Sequence, residues 1–434
     1  MPRPARPSIL HRLALPLLVV GLTLLGACSD TTGPDGNGDR PDPITALPRQ
    51  LTAAEQTVIE QSTGFGLELI ARAAAADDRP NVVLSPLSAS MALGMTLNGA
   101  AGGTFDAMRS TLGFDGLTQD EINASYAGLI DLLVDLDPDV EFSIANALWA
   151  NAGFDFRQSF ADRVTQSFDA TIETRDFALP ATLDAINGWA DDATNGFIPE
   201  VLTELDPNLL MVLMNAIYFD GAWTESFDPA ETAPRDFRRA DGTTVRVDMM
   251  NASEQTFPLG HGNGWGAVEL PYGGGAYAMV VVVPAGDVVE MIEDWGPADW
   301  AAVRASLTEQ EVDLLSIPKF TIEHDAFLNP VLADMGMGVA FSSGADFSEL
   351  REGGGLCIDF VRQKTFIEVD ELGTTAAAVT TVGIGPTSFI GLVADQPFFF
   401  AIHERLSGTL LFTGVVGDPT VRDGGPAEGE GGCH

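Results

Sequence analysis

The chain has 434 residues, 45% of them hydrophobic, and a formal net charge of −40 from 62 acidic and 22 basic side chains. That length and apolar content suffice for one large core. Acids spread along the chain repel phosphate backbones, which excludes nucleic acid as a partner and favours a neutral or basic protein.

Arg3, Arg6 and Arg12 precede the apolar run Leu13–Leu25, which leads into Leu25-Gly26-Ala27-Cys28. A basic start followed by a short apolar run marks a targeting segment rather than part of the fold, and the run is short for a bilayer span. The sequence LGAC resembles the lipobox of bacterial lipoproteins. That resemblance implies a signal peptide over 1–27 and a lipid on Cys28. Ser29 behind it does not call for retention at the inner membrane, so the outer membrane of the cell envelope is expected. An ordinary signal peptide of an extracellular protein is the alternative. Residues 28–52 are polar and rich in Gly, Pro and Asp, the composition of a flexible tether.

Globular patterning runs over 53–421, with no internal repeat or linker. Val58, Ile59, Phe65, Leu69 and Ile70 fall at helical spacing. NVVL reads as a short strand ended by Pro86, and SASMALGMTLNGA as a buried helix opened by Ser88. Further helical patterns cover 120–136, 157–169 and 181–195. Then LMVLMNAIYFDGAW, TTVRVDMM, GAVELPY, AYAMVVVVP, VDLLSIPKFTIEH, KTFIEVDE, PFFFAIH and GTLLFTGVVGDP all read as strands. Helices early and strands late predict an α+β fold with large mixed sheets. Residues 422–434 read as a disordered tail in which Cys433 is a candidate free thiol.

Enzyme chemistry finds little support. Ser316 and Lys319 in SIPK match an SxxK spacing, but the flanks alternate as a strand, which sends the two side chains to opposite faces. HGNGWG around His261 reads as a Gly-rich turn, with no GxSxG elbow to accompany it. No cysteine pair has CxxC spacing, and no histidine lies in HExxH. DLDPDVE lacks the Gly and closing Glu of a calcium loop and reads as a solvated turn. No metal and no cofactor are expected.

One stretch resists this plain reading. Leu372–Ala394 is 23 consecutive residues without a charge in a chain with 62 acids, at a place where a loop is expected. Its neighbours carry a resemblance to the serpins, a family of serine-protease inhibitors. NVVLSPLSASMALGMTLNGAAGGTFDAMRSTLGF, LMNAIYFDGAW with FDP, VELPY, IPKF, FIEVDELGTTAAA and QPFFFAIHERLSGTLLFTGVVGDP occur in the family's order from about residue 53 to 420. The resemblance implies three β-sheets, about nine helices and an exposed reactive loop over roughly 374–395, in a monomer that traps its target as a covalent acyl-enzyme. Cleavage frees the loop's N-terminal arm to enter the largest sheet as a new strand, dragging the protease along.

Insertion makes physical demands that the residues meet. Thr374, Ala376, Ala378, Thr380, Val382 and Ile384 fall on one face of an extended arm, and Thr375, Ala377, Val379, Thr381, Gly383 and Gly385 on the other. None is charged, and a charge pushed under a sheet costs several kcal/mol at least. Gly373 supplies a hinge. Family spacing from Glu371 puts the scissile bond at Thr387-Ser388, a small β-branched site that suits an elastase-like or subtilisin-like target. Cleavage after Phe389 by a chymotrypsin-like enzyme, or after Ile384, is the alternative. Carried over singly, Glu371 and Lys319 match the family's ion pair at the top of the opening sheet, and Trp223 its packed aromatic there. Ser85, Ser88 and Asn215 match a polar cluster that holds the central strands together. Gln363 stands where the family commonly has a His, which Gln cannot replace as a cation. A non-inhibitory binding protein on the same fold is the rival function.

Overall fold

The computed structural model describes residues 43–373 and 390–422. Cys28, Thr374, Thr375, Ala376, Ala377, Ala378, Thr380, Thr387, Ser388 and Cys433 lie outside the described residues, as do the targeting segment and the tail beyond Arg422.

The chain enters through residues that composition assigns to the tether. Ile44 donates its amide to Gly274 O at 2.8 Å, and Arg49 bonds both Glu55, at 2.7 Å, and the Gly128 carbonyl. Helix α1 (Ala53–Ala76) opens on a capping box, Thr52 and Glu55 each accepting from the other's amide. Strand β1 (Asn81–Leu84) runs into α2 (Pro86–Leu97). The cap of α2 is Ser85, not Ser88: its hydroxyl accepts from the Ser88 amide, and Pro86 fits the first turn because it has no N–H to satisfy. Then come α3 (Gly102–Thr111), α4 (Gln119–Leu133), β2 (Val140–Asn151), α5 (Gln158–Phe168), β3 (Thr171–Arg175), α6 (Pro180–Ala193) and β4 (Met211–Gly221).

The second half holds β5 (Ala233–Arg238), β6 (Thr244–Ala252), β7 (Gln255–Gly262), β8 (Trp265–Tyr272) and β9 (Tyr277–Pro284). Two short helices, α7 (Val288–Ile292) and α8 (Pro297–Ser306), precede β10 (Thr308–Val312), β11 (Leu314–Pro318) and β12 (Phe320–Phe327). Helix α9 (Asn329–Leu332) leads towards β13 (Arg362–Val369), and β14 (Gly391–Val393), β15 (Phe398–Glu404) and β16 (Leu410–Val416) close the chain.

The strands form a seven-stranded sheet, β1-β16-β15-β9-β8-β7-β10, a four-stranded sheet, β14-β11-β6-β5, a three-stranded sheet, β3-β2-β4, and a pair, β12-β13. The main core lies between α1, α2 and the seven-stranded sheet, whose strands β15, β16 and most of β9 are buried on both faces. A second apolar cluster forms where Ile186 and Ala190 of α6 meet Ala147, Trp149, Val212 and Met214 on β2 and β4.

The α+β class stands, with further differences from the sequence reading. Strands β2 and β3 sit in the half read as helical, because Ala and Asn dilute the alternation of VEFSIANALWAN. VDLLSIPKFTIEH is two strands, not one. Pro318 ends β11, and the chain turns at Lys319 into a different sheet. Asp137 is not solvated: it is 1% exposed and accepts from the amides of Asp139, Gly274 and Ala276, tying one turn to another.

Candidate functional site

Strands β4 and β13 run side by side without a hydrogen-bonded register between them. Asn215–Asp220 of β4 and Arg362–Ile367 of β13 line the same cavity of about 80 Å3. A second cavity, of about 220 Å3, lies at the lower end, where Leu210 and Met211 face Cys357 and Phe360. The three strands on one side and the two on the other thus make one sheet parted lengthwise. Phe197, beyond α6, crosses the parting, its ring 5.4 Å from Tyr218 of β4 and 5.1 Å from Phe366 of β13. Beside it Lys364 Nζ donates to the Glu200 carbonyl at 2.9 Å.

The two halves meet at the upper end. The Trp223 amide donates to Leu372 O at 2.8 Å, the Phe227 amide to Glu371 O at 2.9 Å, and the Trp223 indole N–H to Asp370 O at 2.8 Å. Trp223 is 4% exposed and stacks on Tyr272 with ring centroids 4.4 Å apart. The Glu371 side chain is fully buried, and each of its oxygens has a partner: Lys319 Nζ at 2.6 Å and Thr232 Oγ1 at 2.7 Å. Burial alone would push this carboxyl up. The Lys319 ammonium and the Thr232 hydroxyl outweigh it and hold the pKa below the usual carboxylate value.

Lys319 stands where β11 turns into β12, and its amide also bonds Asp248 O of β6 at 2.9 Å. One residue therefore links the four-stranded sheet to the join. Gly373 ends the described part of this strand at φ +135°, a conformation closed to L side chains. A Cβ there would meet Gly221 O at 2.2 Å and Ala222 Cα at 2.6 Å.

The polar residues lower down do not form one cluster. Gln363 grips the backbone of Ser85, accepting from its amide at 2.7 Å and donating to its carbonyl at 3.0 Å, while Ser85 Oγ donates to Leu411 O at 2.6 Å. Ser88 contributes its amide to Ser85 and faces both cavities. Asn215, expected to tie the central strands together, turns instead to its own half. Its Nδ2 donates to Asn146 Oδ1 of β2 at 2.7 Å, and its buried Oδ1 has no hydrogen-bond partner. The parting lies between Asn215 and Gln363, so no side chain of this group spans it.

Sequence reading missed three contributors: Thr232, Phe197 and His324. His324 on β12 is 2% exposed; its Nδ1 bonds Val83 O of β1 at 3.0 Å, and its Nε2 lies 2.9 Å from Arg79 and 3.3 Å from Asp77. The period-two pattern of FTIEHDAF puts His324 on the inner face with Phe320, Ile322 and Ala326, so its burial was open to detection. Thr232 and Phe197 carry no such local signal. Ser316, weighed as a nucleophile, is a buried strand residue bonded to Asn251 at 2.8 Å.

The comparisons agree with this architecture. A family profile described as "Serpin (serine protease inhibitor)" matches residues 60–419. The chain is 32% identical to Serpin-Z7 of Hordeum vulgare over 86% of its own length and 98% of the relative's. Its fold is similar to that of tengpin, a thermophilic serpin solved in the native state, with a TM-score of 0.75 and 30% identity over 88% and 97% of the two chains. Human thyroxine-binding globulin, solved with its hormone, gives a TM-score of 0.77 at 28% identity over 85% and 100%. A parted sheet, a buried ion pair at its upper end and an uncharged segment beyond it define a serpin-type molecule. The chain belongs to the serpin family.

Proposed function

We propose that this serpin inhibits serine-type endopeptidases as a suicide substrate. The observation that carries the reading is the parting between β4 and β13, which share no strand pairing among the described residues and are tied by backbone bonds at the upper end. Strand β13 ends at Val369, and the chain turns through Glu371 and Gly373 into the uncharged segment. An arm freed by a cut at Thr387-Ser388 has a matching slot beside the strand it grows from.

Entering that slot would supply ladder partners to both strands and bury the arm's apolar face, worth several kcal/mol at roughly 25 cal/mol per Å2. The uncut state is then metastable and held kinetically. Insertion of about 14 residues at roughly 3.3 Å each would carry an attached protease about 45 Å. Elastase-like and subtilisin-like proteases are the proposed targets, because the cut site is small and β-branched. We place the inhibitor in the cell envelope, held by a lipid on Cys28. The proposed roles of the upper residues follow: Glu371, Lys319 and Trp223 resist opening, and Gly373 is the hinge.

The test is incubation with subtilisin or elastase followed by denaturing electrophoresis. A complex that survives SDS is expected, together with clipped inhibitor whose melting temperature lies well above that of the intact chain. Quantitative clipping with neither a complex nor a rise in melting temperature would refute inhibition by insertion and leave a binding role on the same fold.

A further inference from the structure

We infer that the face of the parting covered by the chain after α6 binds a quaternary ammonium group, held by the Asp220 and Glu141 carboxylates and the rings of Tyr218, Phe197 and Phe366. The site stands apart from the inhibitory reading. Its effect on insertion rests on that reading.

Strand register fixes the face. Glu141 pairs with Asp220, and Ser143 with Tyr218, across β2 and β4, so the four side chains share one side of the sheet. The chain leaving α6 covers that side. Ser143 Oγ donates to Ala193 O at 3.4 Å, and Asn195 Nδ2 to Glu141 Oε1 at 2.7 Å. Phe197 then reaches over the gap to Tyr218 and Phe366. Asp220, Tyr218, Phe197 and Phe366 all line the cavity of about 80 Å3. An apolar cavity that takes benzene measures about 150 Å3, so this one has room for a compact head group rather than a ring.

Two carboxylates directly opposite each other on paired strands repel. Among the described residues their donors are neutral: Asn195 for Glu141, and the Tyr218 hydroxyl, at 3.3 Å, for Asp220. Burial and the Glu141 charge push the Asp220 carboxyl up against the pull of that hydroxyl. Burial, with the Asp220 charge beside it, pushes the Tyr218 phenol up to about 12. The two bases on the cavity lining are engaged elsewhere, Lys364 with the Glu200 carbonyl and Arg362 with Asp325. A cation is what the site lacks, and the rings select its kind. Aromatic faces attract cations through their quadrupole and recognise quaternary ammonium heads, which have no N–H to satisfy.

Asp220 and Tyr218 belong to one half of the parting and Phe366 to the other. A bound head group would clamp the two halves together. A strand inserted between β4 and β13 would separate Tyr218 from Phe366 and dismantle the site.

The test is calorimetric titration of the uncut full chain with choline and with its neutral isostere, 3,3-dimethylbutan-1-ol. Salt at about 0.15 M screens charges beyond about 8 Å. One choline per chain is expected, bound at least about 10-fold tighter than the alcohol. Equal affinity for the two, or no saturable site, overturns the inference. Asp220→Asn should weaken choline at least about 10-fold. By relieving the repulsion it should also raise the melting temperature, which shows that the variant folds. Phe197→Leu removes a ring face and should weaken choline about 5-fold. Wild-type affinity in both variants would mean diffuse attraction to an acidic surface and overturn the site. Displacement of choline by equimolar Ca2+ would assign the acids to a metal and overturn it too. Chain clipped by subtilisin should bind choline at least about 10-fold more weakly. Unchanged binding there, with the site confirmed in uncut chain, refutes insertion between β4 and β13 and leaves the site standing.

Discussion

The upper and lower ends of the β4–β13 parting are built on opposite plans. At the upper end the gap is bridged by several bonds: Trp223 to Asp370 and Leu372, and Phe227 and Thr232, in the chain that leads from β4 to β5, to Glu371. At the lower end no strand bonds the other directly: Lys364 reaches only the Glu200 carbonyl beyond α6, and the remaining polar groups turn away from the gap. Gln363 holds Ser85, and Asn215 turns to Asn146, its own Oδ1 left over. A sheet joined at one end and open at the other has a defined place to yield and a defined place for a strand to go. Under the proposed mechanism, bonds across the gap exist only while it is closed, whereas bonds that do not cross it survive insertion. This difference separates variants that affect the uncut chain from those that affect both states.

The strongest way to break the comparison is to block the slot. Thr374→Arg puts a charge at the leading position of the arm, where burial costs several kcal/mol. SDS-stable complex with subtilisin should fall by more than about 100-fold while cleavage continues; intact inhibition would disprove insertion. Glu371→Ala comes next. It removes a fully buried carboxylate from Lys319, whose side chain is 28% exposed. Breaking a buried pair costs about 3–5 kcal/mol, and the partial exposure of Lys319 puts this one at roughly 2–3 kcal/mol. Calorimetry should show a larger loss in the uncut chain than in clipped protein, because the Thr232 bond crosses the gap whereas Lys319 lies on the β12 side with Glu371.

Gln363→Ala sharpens the contrast from the other side. It leaves the buried amide and carbonyl of Ser85 without partners, at about 1–3 kcal/mol. Because that tie runs to the head of α2 and not across the gap, uncut and clipped chains should lose stability equally. A loss confined to the uncut chain would assign Gln363 to the gate.

The smallest effect is the pH dependence of the join. Glu371 has a folded pKa below its ordinary value. Its contribution is complete above the unfolded carboxylate pKa and is lost as pH falls through the lowered folded one. Uncut chain should therefore open more readily in that acid range, and Glu371→Gln should flatten the dependence. Gln363 adds no titration of its own; an opening midpoint near neutral pH would point to another group.

Part of this was legible in the sequence. The segment proposed to fill the slot, which lies outside the described residues, stands out in linear order because it alternates and carries no charge. Glu371, Lys319 and Trp223 could be placed because each sits in a run that resembles the family's: FIEVDELGT, IPKF and LMNAIYFDGAW. Asn215 could not be assigned correctly. Its run fixes the strand and the face but not which of two neighbouring strands its amide will choose. Phe197 and Thr232 lie in irregular chain, where their partners are set by tertiary packing alone. Asp137 was misread as solvated because its partners, Gly274 and Ala276, are backbone amides that leave no trace in composition.

Ile44 holds the Gly274 turn, and Ala222 of the same corner bridges Gly373. Two edges of the described chain, one ahead of α1 and one after β13, thus share a single corner of the fold. Under the proposed mechanism that corner is where an attached protease would begin its passage, and a substitution at the Gly274 turn would be felt at the hinge as well.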